Sequence, residues 1–178
     1  VYMRSVTEGM VEPHPVTYPH GMHPLRTELP RRDGPPDALP EDAVEALVRS
    51  ALEEDLGGAL DVSGDMTTAA CARESRQVSA SLVAREAGIL AGLEVFITSF
   101  RLLDAGATLE VRKAEGEAVA SGDVLAVVRC EMSALLAAER TALNFMQRLT
   151  GIATRTAQFV SLAAGRARVL DTRKTTPG

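Results

Sequence analysis

The order of strand-like and helix-like segments in this 178-residue chain predicts an α+β fold. Three observations carry that prediction. Residues 77–84 alternate, with Val78, Ala80, Leu82 and Ala84 set against Gln77, Ser79 and Ser81, the two-residue period of a half-buried strand. Val44, Leu47, Val48, Ala51 and Leu52 recur at helical spacing. A long helical stretch from about Ser133 to Ala164 gathers Leu135, Leu136, Leu143, Met146 and Leu149 on one apolar face.

Taken in order, residues 1 to about 40 differ from the rest. Seven of the nine prolines precede Pro40, all three histidines (His14, His20, His23) lie there, and hydrophobic periodicity is slight, so this segment reads as a flexible extension. Pro40-Glu41-Asp42 opens the first helix, and Glu53 to Gly58 ends it with glycines suited to a C-terminal cap. Asp61 to Thr68 is polar and reads as loop. After the 77–84 strand, Arg85-Glu86-Ala87-Gly88 turns into the apolar Ile89-Leu90-Ala91-Gly92. Leu93 to Leu103 carries Val95, Phe96, Ser99, Phe100 and Leu103 at helical spacing, and residues 108–112 read as a strand. Glu115-Gly116-Glu117 and Ser121-Gly122-Asp123 are turns flanking Ala118-Val119-Ala120, and Val124 to Val128 reads as a buried strand. Thr150-Gly151 is expected to break the long helix, leaving Ile152 to Leu162 as a second one. Gly165 closes it, and Ala167 to Asp171 reads as a short strand. One buried strand after a helix pair cannot complete a sheet, so the chain reads as a fragment with a second domain mostly missing.

Composition narrows the function. A formal net charge of -5 argues against non-specific nucleic-acid binding, and four Phe, two Tyr and no Trp leave few rings for stacking on bases. No apolar run approaches the ~18 residues of a membrane span and no charged start leads into an apolar signal core, which points to the cytoplasm. Cys71 and Cys130 match no metal or redox spacing and read as buried thiols in a reducing cytosol; no metal site is expected. Lys113 and Lys174 are the only lysines among 19 basic residues.

Thr172-Arg173-Lys174-Thr175-Thr176 sets two cations and three hydroxyls just beyond the expected 167–171 strand. Arginine grips carboxylate or phosphate through a planar fork and lysine adds a point charge, so the cluster suits a multiply charged anion; a plain basic surface loop is the competing reading. Arg140 and Asn144, four apart, share a helix face, as ordinary surface pairing would also arrange. Residues 115–125 resemble the hairpin arm of biotinyl and lipoyl carriers, but Lys113 lies before that arm instead of at a separate exposed tip. No P-loop or dinucleotide fingerprint occurs, and histidines confined to the first 40 residues argue against a Ser-His-Asp hydrolase.

Six blocks in order then resemble quinolinate phosphoribosyltransferase: Glu54–Gly57, Asp65–Thr68, Ala84–Gly92, Glu139–Asn144, Leu149–Thr154 and Leu170–Gly178. The resemblance spans residue 41 to the end. It implies an amino-terminal α/β sandwich domain over 41–148, after the 1–40 extension, followed by the start of an α/β barrel over 149–178, incomplete in this chain. It implies transfer of a phosphoribosyl group from phosphoribosyl pyrophosphate to quinolinate, with magnesium required, giving nicotinate mononucleotide, pyrophosphate and carbon dioxide on the route to NAD. By similarity Arg140 binds a quinolinate carboxylate across a dimer interface. Thr172, Arg173 and Lys174 carry over as substrate-binding, Lys174 also as catalytic, and Arg85 is placed on the phosphate side. The implied assembly is a homodimer with shared active sites, alone or within a hexamer.

The chemistry suits those roles. A dianionic acceptor and a polyphosphate donor need fixed cations, and displacing pyrophosphate from the anomeric carbon rests on positioning and charge stabilisation, with no covalent protein nucleophile. The family's later barrel residues are absent, so no turnover is expected from these 178 residues alone. Two other readings stay open: a related molybdenum-transport-associated protein of the same architecture, and a non-catalytic fragment that dimerises through the long helix.

Overall fold

The computed structural model describes residues 1–5, 40–62, 76–172 and 174. Six strands are present among them: β1 (Tyr2–Ser5), β2 (Gln77–Val83), β3 (Gly88–Ile89), β4 (Thr108–Val111), β5 (Ala118–Val119) and β6 (Val124–Glu131). Three helices accompany them: α1 (Glu41–Asp55), α2 (Leu93–Arg101) and α3 (Met132–Ala163). Four strands form an antiparallel sheet in the order β1-β2-β6-β4, and β3 pairs with β5 in a separate two-stranded ribbon.

The alternation in β2 holds only in part: Ala80 and Leu82 face the core as its period demands, but Ser81 and Val83 are buried as well. Ala80 pairs with Val128 and Leu82 with Ala126, and all four are buried on the sheet's inner face. Ser79 and Arg129, paired with each other, belong to the outer face. A register shift between Leu82 and Val83 lets both Leu125 and Ala126 be buried near the strand's start. The helices close the inner face in one continuous core: Val44, Val48 and Leu52 from α1, Phe96 and Phe100 from α2, Ala138, Ala142 and Met146 from α3. The α+β expectation therefore holds, as an antiparallel sheet packed with helices.

Four sequence expectations are corrected. Tyr2–Ser5 is a strand antiparallel to β2, so the start of the presumed flexible extension is part of the sheet; residues 6–39, with the three histidines, lie outside the described residues. The long helix does not break at Thr150-Gly151. It runs unbroken for 32 residues, because Gly151 meets open space while the neighbouring Thr150 is tied to another element. Of its expected apolar face, Met146 is fully buried and Leu135, Leu143 and Leu149 pack half-buried against the core, but Leu136 is exposed. Most of its buried positions are small: Ala134, Ala137, Ala138, Thr141 and Ala142. Small side chains let a helix approach its neighbours closely, an advantage that a search for large apolar residues overlooks. Finally, residues 167–171 form no strand. They are exposed, with Leu170 72% accessible, since no described strand lies beside them to pair with. No barrel portion is present among the described residues.

Candidate functional site

The C-terminal end of α1 lies against the middle of α3. Between them is a cleft of about 410 Å³ lined by Glu54 and Asp55 on one side and Arg140, Asn144, Phe145 and Arg148 on the other. Positions 140, 144 and 148 share a face because they are successive turns of one helix. Arg140 Nη1 donates to Asp55 Oδ1 at 2.8 Å. The Arg140 side chain is 74% exposed and that of Asp55 only 25%. A guanidinium has five N–H donors and this bond engages one corner, so the remaining fork can still grip a planar carboxylate.

A second cleft, of about 500 Å³, takes Arg85, Glu86, Gln147, Arg155 and Gln158 among its walls. There the Arg85 guanidinium stands 5.3 Å from the centre of the Tyr2 ring. The two candidate arginines Arg85 and Arg140 thus line different clefts. Thr172 and Lys174 line neither; both are exposed, and the Lys174 backbone N–H donates to Thr172 Oγ1 at 3.1 Å in a local turn. Arg173 lies outside the described residues. A single chain therefore unites Arg140 with Asn144, as their spacing predicts, but does not put Thr172 or Lys174 in the same cleft.

Two sequence blocks meet to hold this architecture. Thr154 Oγ1 accepts the Ile89 N–H at 2.8 Å, and Thr150 Oγ1 both accepts the Ala91 N–H and donates to Ala91 O at 3.2 Å. Hydroxyls one helical turn apart thus take the place of a neighbouring strand along 89–91. Gly88 is required by closeness, because a Cβ there would lie 2.6 Å from Thr154 Oγ1. Gly92 is required by conformation, with φ +105°. Glu115 then reaches from the turn before β5 to accept the N–H groups of Gly92 and Leu93 at 2.6 and 3.1 Å, capping α2 from a distance.

Three ionisable groups outside these two clefts are shifted by their surroundings. Lys113 Nζ lies 3.0 Å from Glu117 and 3.7 Å from Asp123, and the hydrogen bond to Glu117 holds the ammonium above its usual pKa. Glu117 is held below the carboxylate range, first by the Ala114 N–H and then by Lys113. Lys113 is thus tied to Glu117 and Asp123 beside the hairpin and is not presented at a separate free tip. Cys130 is fully buried, and burial pushes its thiol up to about 11; Cys71 lies outside the described residues. Among the described residues no three His, Cys, Asp or Glu side chains gather to hold a metal ion, and no helix is long and apolar enough to cross a membrane.

Comparison with known proteins settles the family. Residues 65–150 match the family described as quinolinate phosphoribosyl transferase, N-terminal domain. The chain is 38% identical over 143 residues to a nicotinate-nucleotide pyrophosphorylase (carboxylating) of Mycobacterium leprae, covering 77% of this chain and 48% of that one. It is 36% identical over 143 residues to the chloroplastic nicotinate-nucleotide pyrophosphorylase (carboxylating) of Arabidopsis thaliana, covering 80% and 40%. The crystal structure of NadC from Streptococcus pyogenes superposes with a TM-score of 0.71 at 39% identity, over 78% of this chain and 49% of that one.

The chain carries a quinolinate phosphoribosyltransferase N-terminal domain.

It spans less than half the length of these relatives. Within this quinolinate phosphoribosyltransferase domain the recognisable blocks divide by task. Residues 84–92 and 149–154 clasp each other and fix the fold, while Glu139–Asn144 supplies the open cleft. Reading the sequence alone assigned no role to Asp55 or Arg148. The four-residue steps from Arg140 through Asn144 to Arg148 would have found the latter. Nothing in the sequence points from Arg140 to Asp55, 85 residues away.

Proposed function

We propose that this domain supplies the Arg140 portion of a quinolinate site in an enzyme of NAD synthesis that transfers a phosphoribosyl group and decarboxylates. The observation that carries this reading is the Arg140 fork, anchored at one corner in an open cleft with Asn144 alongside. Arg140 grips a quinolinate carboxylate, across a dimer interface. Thr172, Arg173 and Lys174 belong to the same composite site contributed by another protomer, with Lys174 beside the reacting atoms, and Arg85 serves the phosphate side from its neighbouring cleft. Such sharing is consistent with Lys174 lining neither cleft within one chain.

In the reaction, the pyridine nitrogen forms a bond to the anomeric carbon as the bond from that carbon to pyrophosphate breaks. The ribosylated ring nitrogen is then cationic. Its positive charge stabilises the electron pair left on the adjacent ring carbon when that carbon loses carbon dioxide, and a proton then takes up that pair to complete the ring. Fixed cations serve both halves by holding the dianion and stabilising the departing pyrophosphate. Magnesium would accompany the phosphoribosyl pyrophosphate; the described residues offer it no ligand cluster, and no step assigned here to a side chain depends on it.

Calorimetric titration with quinolinate tests the reading. Heat from the wild-type chain that disappears in Arg140→Ala supports it; equal binding by the two proteins overturns it. A scaffold that only dimerises predicts no carboxylate-dependent heat at all.

A further inference from the structure

We infer that Asp55 is a positioning residue for the Arg140 fork, an inference that rests on the carboxylate-binding role proposed for Arg140. Its carboxylate leaves a rigid platform. Leu52 and Leu56 on either side are buried at 0% and 5% exposure, Leu56 N–H bonds Leu52 O at 2.8 Å, and Gly58 N–H bonds Glu53 O at 2.6 Å. Arg140, by contrast, is a long side chain that is three-quarters exposed. Of the two partners, the acid is the one already held in place, so it steers the guanidinium.

A second observation points the same way. Glu53, Glu54 and Asp55 crowd the C-terminal end of α1, where no basic residue occupies the last turn. Carboxylates there oppose the helix dipole, so Asp55 is unfavourable for its own helix. A local rule broken without local compensation is expected where a residue serves a site. The bond reaches one nitrogen of Arg140, Nη1. The other edge of the guanidinium is then presented toward the cleft in a preferred orientation, which lowers the rotamer freedom lost when a dicarboxylate binds.

The sign of the effect separates this role from its rivals. A carboxylate that merely offsets the Arg140 charge would weaken anion binding, so removing it would tighten binding. A carboxylate that positions the fork would do the opposite. Asparagine is the informative replacement, since its amide oxygen keeps the acceptor and loses the charge.

The experiment titrates quinolinate into wild type, Asp55→Ala, Asp55→Asn and Arg140→Ala, alongside NMR of the Arg140 guanidinium without ligand. Positioning predicts about 3–10-fold weaker binding in Asp55→Ala, in line with losing one pre-ordered side chain, and affinity largely restored in Asp55→Asn. Without ligand, rotation about the Arg140 Nε–Cζ bond is hindered in wild type and Asp55→Asn and freed in Asp55→Ala. Tighter binding in both Asp55 variants, unchanged affinity in Asp55→Ala, or equal Arg140 mobility in wild type and Asp55→Ala overturns the inference. Binding by Arg140→Ala at wild-type strength removes the proposed function instead, and the ligand-free spectra still decide whether Asp55 holds the fork.

Discussion

Replacing Gly88 by alanine probes the clasp between 88–91 and the long helix. The added Cβ would sit 2.6 Å from Thr154 Oγ1, closer than such contacts allow, and that oxygen is already bound to the Ile89 N–H at 2.8 Å. If the structure keeps the hydrogen bond, the overpacked contact costs ~1–3 kcal/mol. If Thr154 turns away, the Ile89 N–H, on a residue only 8% exposed, loses its acceptor, which costs ~1–3 kcal/mol. The φ of Gly88 is not in the left-handed region, so alanine itself recovers ~0.4–1 kcal/mol by restricting the unfolded chain. Net destabilisation is then ~0–2.6 kcal/mol by either route. Thr154→Ala alone loses the acceptor and costs about 1–2 kcal/mol. In the double variant the oxygen that the new methyl would strike is gone, so it should be no less stable than Thr154→Ala alone. Urea unfolding followed by circular dichroism at constant m-value measures all four proteins. The two changes should fall short of additivity by at least about 1 kcal/mol; additivity within about 0.5 kcal/mol would refute the close contact as the reason for glycine.

Three further outcomes are expected. Glu115→Ala removes the acceptor for Gly92 and Leu93 at the start of α2 and should cost ~1–2 kcal/mol in urea unfolding, with Glu115→Gln recovering part of it; equal stability of all three would contradict the cap. Burial raises the Cys130 thiol from its ordinary value near 9 to about 11, so folding favours the protonated form. That contribution is intact below pH 9 and lost as pH climbs through 11, a decline of about 1–3 kcal/mol that Cys130→Ala should lack; parallel pH profiles for the two proteins would refute it. Arg140→Ala should weaken quinolinate binding by about 1.5–3 kcal/mol, the range for a hydrogen bond to a charged group. Arg140→Lys should not restore it, because an ammonium has no fork; full recovery by lysine, measured calorimetrically, would show that charge alone suffices.

Local signals were legible wherever one element's own period decided the outcome. The inward Ala80 and Leu82 of β2, the Val44-Val48-Leu52 stripe and the shared face of Arg140 and Asn144 follow from side-chain geometry along a single strand or helix, and all appear in the fold, although Ser81 is buried too. Leu170 misled for the opposite reason. Its neighbours look like a strand, but a strand exists only through hydrogen bonds to another, and none of the described strands stands beside it. Thr150-Gly151 misled similarly, since glycine weakens a helix without forcing it to stop when neighbouring residues are held.

By itself the sequence determined the helical character of 41–55 and 93–101, the extended character of 77–83, their order, and the blocks that mark a quinolinate phosphoribosyltransferase N-terminal domain, because backbone preference and hydrophobic period are written residue by residue. Only the tertiary structure decided that Asp55 meets Arg140, that Thr150 and Thr154 serve the edge of 89–91, and that Tyr2–Ser5 closes the sheet. Those contacts join residues from about 60 to 85 positions apart, and such pairings depend on how finished elements pack against one another, information that no short window of sequence contains.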